Sequence, residues 1–174
     1  MVLENWNMNN SLYRVKIRTP KNRRRIEIWR YLKMENNIFI KCQQQALTSD
    51  HAGVLRLDDG RVLLTADGFA AVVIPQEDLM LDVSRFGGLS KRVLDGMDKV
   101  PELKLTCDCR YITPKIIIRE LQSDSGKSVY VNDKYIKFFG TGVSYKGDER
   151  RVFVFEKDSN KLIGLILPIH LKED

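Results

Sequence analysis

The sequence predicts an α+β fold, on three observations. The first 75 residues read as almost entirely β, with apolar and polar residues alternating in LYRVKIRT and IEIWRYLKM, the period of half-buried strands. A one-sided apolar stripe with helical spacing begins near residue 84. Beyond it, the order strand, helix and three strands is read twice, over about 78–121 and 128–171. The expected organisation is therefore a β-rich region with a basic edge over 1–77, followed by an α+β domain over 78–174.

The elements follow in chain order. LYRVKIRT (12–19) alternates apolar and basic side chains, IEIWRYLKM repeats the alternation after KNRRR, and NIFIKCQ (37–43) can continue as a strand. VLRL and RVLL flank Asp59-Gly60, a strong hairpin pair, and Asp67-Gly68 starts the turn into AAVVIP. In SRFGGLSKRVLDGMDKV, Phe86, Leu89, Val93, Leu94 and Met97 fall on one helical face, with Ser84 as N-cap and Gly87-Gly88 weakening the first turn. ELKLTCDC, RYIT and KIIIREL read as strands separated at Pro114, and QSDSGK as a polar turn. SVYV is then a strand and NDKYIKFF a short helix capped by Asn132 or Asp133. GVSYK, RVFVFEK and KLIGLILPIHL close the chain as three strands.

Composition bounds the class. With 43% apolar and 30% charged residues, the 174-residue chain has the balance of a globular protein. It holds no apolar run of membrane-spanning length, and MVLENWNMNN lacks the basic-then-apolar order of a signal peptide. No membrane partner and a cytoplasmic location are the expectations. Three cysteines, an odd number, argue against a disulfide framework and for free thiols.

Charge is unevenly placed. Residues 1–33 hold nine Lys or Arg against Glu4 and Glu27, a net of +7, whereas the rest of the chain, 34–174, nets −1. Arg14, Lys16, Arg18, Lys21, Arg23, Arg24, Arg25 and Arg30 form a candidate phosphate-binding set, to which Trp29 can add stacking on a base. The same residues also fit a solvated strand face, with Trp29 in the core. No helix-turn-helix or zinc-finger pattern supports sequence-specific readout.

VYVNDKYIKFFG, a polar strand, RRVFVFE, a turn and IGLILPIHL together resemble the last half-domain of the bacterial DNA polymerase sliding clamp, the beta subunit. Val131, Asn132, Tyr135 and Ile136 match that family's strand-to-helix motif, and Leu167, Pro168, Ile169 and Leu171 its closing strand. The resemblance is good over 128–171, loose over 78–121 and absent between Met1 and Pro75. It implies a clamp-like domain of two βαβββ halves, with Leu167, Pro168, Ile169, His170 and Leu171 bordering a pocket for short peptides. His170 stands where the family usually has Arg, and Lys172–Asp174 extend past its usual end. A complete ring-forming clamp needs more domains than this chain can hold.

Chemistry finds less support. Ser125-Gly126-Lys127-Ser128 ends like a phosphate-binding loop, but Leu121 stands where that motif needs glycine, and a strand follows instead of a helix. Cys107 and Cys109 lack a second Cys/His pair at zinc spacing, since Cys42, His51 and His170 are scattered. Asp58, Asp59 and Asp108 read as turn residues. No catalytic residue, metal or cofactor is expected.

The leading expectation is a noncatalytic nucleic-acid-binding or replication-associated accessory protein, of a size that suits a phage or mobile element. The competing one is a protein-interaction module whose Arg cluster meets an acidic surface, as in an inhibitor of a host nucleic-acid enzyme. A small enzyme stands third, and self-association into a homo-oligomer is compatible with each.

Overall fold

The structure, a computed structural model, describes residues 38–171. Ten strands form one sheet: β1 (Gly53–Arg56), β2 (Val62–Thr65), β3 (Ala70–Ile74), β4 (Gly87–Gly88), β5 (Glu102–Thr113), β6 (Ile116–Ser123), β7 (Ser128–Asn132), β8 (Val143–Gly147), β9 (Val152–Glu156) and β10 (Leu162–Ile166). Their order across the sheet is β4-β1-β2-β3-β10-β9-β8-β5-β6-β7. Every ladder is antiparallel except the two-residue pairing of β4 with β1. Among the described residues two α-helices accompany the sheet, α1 over residues 38–47 and α2 over Asp133–Phe139. The α+β class is as the sequence predicts, and none of the helices in the described residues is long and apolar enough to cross a membrane.

The turns expected at Asp59-Gly60 and Asp67-Gly68 are present, with Gly60 and Gly68 at positive φ. Over 128–171 the order strand, helix, strand, strand, strand is also as read, and Asn132 caps α2 by accepting from the Lys134 N–H at 3.0 Å.

Two segments depart from expectation. NIFIKCQ, read as a strand, lies in α1 from Ile38 onward. Phe39, Cys42 and Ala46 recur at helical spacing and are buried together, and the Lys, Gln, Ala and Leu that follow are good helix formers. Gln43 secures the helix, its Nε2 donating to Asp78 O at 3.1 Å while its Oε1 accepts from Met80 N at 2.7 Å.

The helix expected over 84–97 is replaced by three 3-10 turns, Val83–Arg85, Lys91–Leu94 and Met97–Lys99, interrupted by β4. Gly87 and Gly88 remove helical propensity, and Gly96 sits at φ +71. Asp82, not Ser84, caps the first turn, and Ser90 caps the second. The apolar stripe is also split: Phe86 packs into one core, whereas Leu89, Val93, Leu94 and Met97 pack into the other. Residues 78–121 therefore contain no α-helix, and the expected first βαβββ half is absent; the helix that accompanies α2 in the core is α1.

Connectivity forces the sheet to curl. β10 and β7 are five strands apart in order, about 24 Å along a flat sheet at the usual strand spacing. Yet the N–H of Ile169, three residues past β10, donates to Tyr130 O on β7 at 2.7 Å, and three residues reach only about 10 Å. The sheet accordingly wraps around α2, whose Phe139 lies against Gly164 of β10 and whose Asp133 is bonded to Arg119 of β6. The inner face carries Leu64, Val72, Leu121, Val131, Val154 and Ile166 against both helices. Leu55, Leu63, Val73, Phe153 and Leu165 face outward beneath the 3-10 turns. Burial on both faces explains why AAVVI and VFVFE are apolar almost throughout.

Candidate functional site

The predicted phosphate-binding residues Arg14, Lys16, Arg18, Lys21, Arg23, Arg24, Arg25, Trp29 and Arg30 lie outside the described residues. What the structure adds is the electrostatic state of the described body. Seven ion pairs join its side chains, including Arg61–Asp59, Lys91–Asp58, Lys104–Asp124, Lys134–Asp67 and Lys146–Glu102. Asp133 holds the other two, with Arg119 at 2.8 Å and Lys137 at 2.7 Å.

The second predicted set, Leu167, Pro168, Ile169, His170 and Leu171, forms an extended segment crossing from β10 toward β7. Leu167 N–H donates to Phe69 O and Ile169 N–H to Tyr130 O, each at 2.7 Å. Pro168, which has no N–H, occupies the position between these two donors, so its ring costs no hydrogen bond. Pro168 and Ile169 are half-buried, while Leu167, His170 and Leu171 are exposed. Phe69, beside Leu167, is 60% exposed.

Asp67 ties this end of the sheet to α2. Its Oδ1 accepts from the N–H groups of Phe69 and Ala70 at 3.0 and 3.1 Å, and its Oδ2 accepts from the Tyr135 hydroxyl at 2.6 Å and Lys134 Nζ at 3.3 Å. Burial opposes ionisation of Asp67, but these donors outweigh it and hold the carboxyl below its usual range. A cavity of about 190 Å³ lies alongside, lined by Cys42, Ala66, Val72, Tyr135 and Phe138. It offers no activated nucleophile: burial, with the Asp67 charge adding to it, pushes the Cys42 thiol up to about 12. Burial and the bond to Asp67 raise Tyr135 as well.

Asp133 is lowered in the same way, burial being outweighed by Lys137 and Arg119. Both carboxylates bind protons more weakly folded than unfolded. Their contribution to stability is full above the unfolded carboxylate pKa of about 3.9 and is lost as pH falls through the lower folded values. We expect unfolding free energy to drop steeply below about pH 4, with a shallower drop in Asp67→Asn, measured by denaturant melts across pH. An unchanged slope in that variant would remove Asp67 from the account.

The remaining chemistry-bearing residues are dispersed. Cys107 and Cys109 are exposed free thiols on β5, and His51 and His170 are exposed. Among the described residues no group of three or more His, Cys, Asp or Glu is placed to hold a metal. Ser125-Gly126-Lys127 makes the tight β6–β7 turn, with Gly126 N–H on Ser123 O, and β7 follows directly.

No family model, curated protein or solved structure matches the chain. The likeness to the sliding clamp thus rests on the sequence pattern of 128–171.

Sequence reading missed the projecting end of the β5–β6 hairpin. β5 pairs with β8 only at Glu102 and Leu103, and β6 with β7 only from Ile118 to Gln122. Beyond those points the two strands continue as a ribbon whose residues Cys107–Ile116 are all exposed, Tyr111 at 71%. ELKLTCDC and RYIT are one strand with irregular register between Leu105 and Cys109. The available signal was Pro114 between two β runs with Arg110 and Lys115 on either side, which marks a hairpin end but not its exposure.

Proposed function

We propose that the chain is a noncatalytic nucleic-acid-binding protein whose basic segment, 1–33, binds phosphates. The observation that carries the reading is the mismatch of charge. Residues 34–174 net −1 and cannot neutralise the +7 of residues 1–33, and seven ion pairs already engage six acids of the described body with its own cations. The surplus is left for an external polyanion, and KNRRR supplies planar bidentate donors suited to phosphate.

Duplex affinity is expected to fall linearly with salt on a logarithmic plot. Changing Arg23, Arg24 and Arg25 to Ala together lowers the slope by about 2 to 3, measured by fluorescence anisotropy from low to moderate salt. Binding that is absent or indifferent to salt would overturn the reading.

A second reading has its own observation. Phe69, Leu167 and Leu171 expose apolar surface along the segment that matches the clamp motif, and in that reading Leu167–Leu171 border a groove for a short peptide of a replication partner. A pulldown partner that survives nuclease treatment and is lost in Leu167→Asp would support it; dependence on nucleic acid would return the function to the first reading.

A further inference from the structure

We infer that the β5–β6 hairpin is a DNA-bending arm whose tip wedges into the minor groove of duplex DNA, an inference that rests on the nucleic-acid reading above. From Cys109 to Ile117 the ribbon has no third strand on either side among the described residues. Five residues of strand, Cys109–Thr113, project about 15 Å. The reach is thus that of a thin two-stranded finger.

The tip carries the side chains a groove wedge needs. Ile112, Pro114 and Ile116 are exposed at its end, where apolar groups gain nothing from water. Such residues, inserted between base steps, unstack them and kink the duplex. Lys115 flanks the wedge and joins no ion pair within the described residues, and residues 109–117 contain no acid. The field at the tip is therefore positive and open, which complements the negative potential of the minor groove.

The finger is also stiffened. Thr113 Oγ1 accepts from the N–H groups of Lys115 and Ile116 at 3.3 and 3.1 Å, holding the turn at Pro114. At the base, the Arg110 guanidinium lies 5.3 Å from the centre of the Tyr130 ring, and Thr106 Oγ1 donates to Glu120 Oε2 at 3.1 Å. A protein partner would also accept exposed isoleucines, but Lys115 and the lack of any acid in 109–117 favour a polyanion over a mixed surface.

The test is a duplex of about 30 base pairs with a fluorophore at each end. The full chain is expected to raise energy transfer by shortening the end-to-end distance through a kink in the range of about 20–90°. Ile112→Ala with Pro114→Ala abolishes the kink while leaving the salt slope of binding unchanged. Lys115→Ala lowers that slope by about 1. These side chains are solvent-exposed, so the variants keep the fold, checked by circular dichroism. Binding without bending, or bending unchanged in both variants, overturns the arm. No duplex binding at all overturns the reading beneath it, and nuclease-resistant capture of a protein through Ile112 and Ile116 assigns the arm to that partner instead.

Discussion

Gly164→Val is expected to cost about 3 kcal/mol of folding free energy, at the upper end of what overpacking a closed core costs. A Cβ at Gly164 would enter the ring of Phe139 and stand 2.8 Å from Ala71 O. The ring belongs to α2 and the carbonyl to β3, so neither neighbour yields without moving an element. Phe139 is itself 2% exposed and locked edge-on against Phe138, their centroids 5.4 Å apart. For a chain of this size the loss lowers Tm by about 6–12 °C, readable in a thermal melt. Pairing the change with Phe139→Leu relieves the ring clash, and the two effects should then sum to less than the single losses. Simple additivity, or a Tm within a degree or so of wild type for the single variant, would show that α2 does not seat on Gly164.

Asp133→Ala is the second large loss, about 3 kcal/mol. The carboxylate is 3% exposed and receives Arg119 Nε at 3.0 Å and Nη2 at 2.8 Å on one oxygen, with Lys137 on the other. Removing it leaves the three-quarters-buried Arg119 without its partner while keeping the cost of desolvating the guanidinium. It also removes an acid from the first turn of α2, where the helix dipole favours one. Chemical denaturation checks the value, and Asp133→Asn should recover part of it through one retained acceptor. A variant as stable as wild type would mean that the Arg119 contact contributes only what a surface pair does.

Local chemistry was readable where it was dense. Asp-Gly at 59–60 and 67–68, the Asn132 cap and the Pro114 break each placed an element boundary correctly, because a turn or cap is decided by a few adjacent residues. The α1 and 84–97 misreadings share a cause. Ile38 and Ile40 alternate like a strand, and Phe86 to Met97 repeat like a helix, yet each pattern is compatible with more than one backbone. Tertiary burial chose between them. Phe39, Cys42 and Ala46 needed one helical face against β2 and β3, and Phe86 and Leu89 were drawn to opposite faces of the sheet.

The candidate surfaces divide in the same way. The charge surplus in residues 1–33 is a property of composition and is visible without coordinates. That Pro168 sits between two donors that are used, one on Phe69 and one on Tyr130, depends on a curl bringing β7 and β10 together. Equally, Arg110, Ile112 and Lys115 differ from buried strand residues only because β7 and β8 stop pairing short of them.

By itself, then, the sequence determined the α+β class, the turns, the order of elements over 128–171 and the location of the positive charge. These follow from neighbouring residues or from totals. The tertiary structure decided the helix at 38–47, the loss of a helix at 84–97, the wrapped sheet and the free ribbon, since each depends on which distant surfaces are left to cover one another.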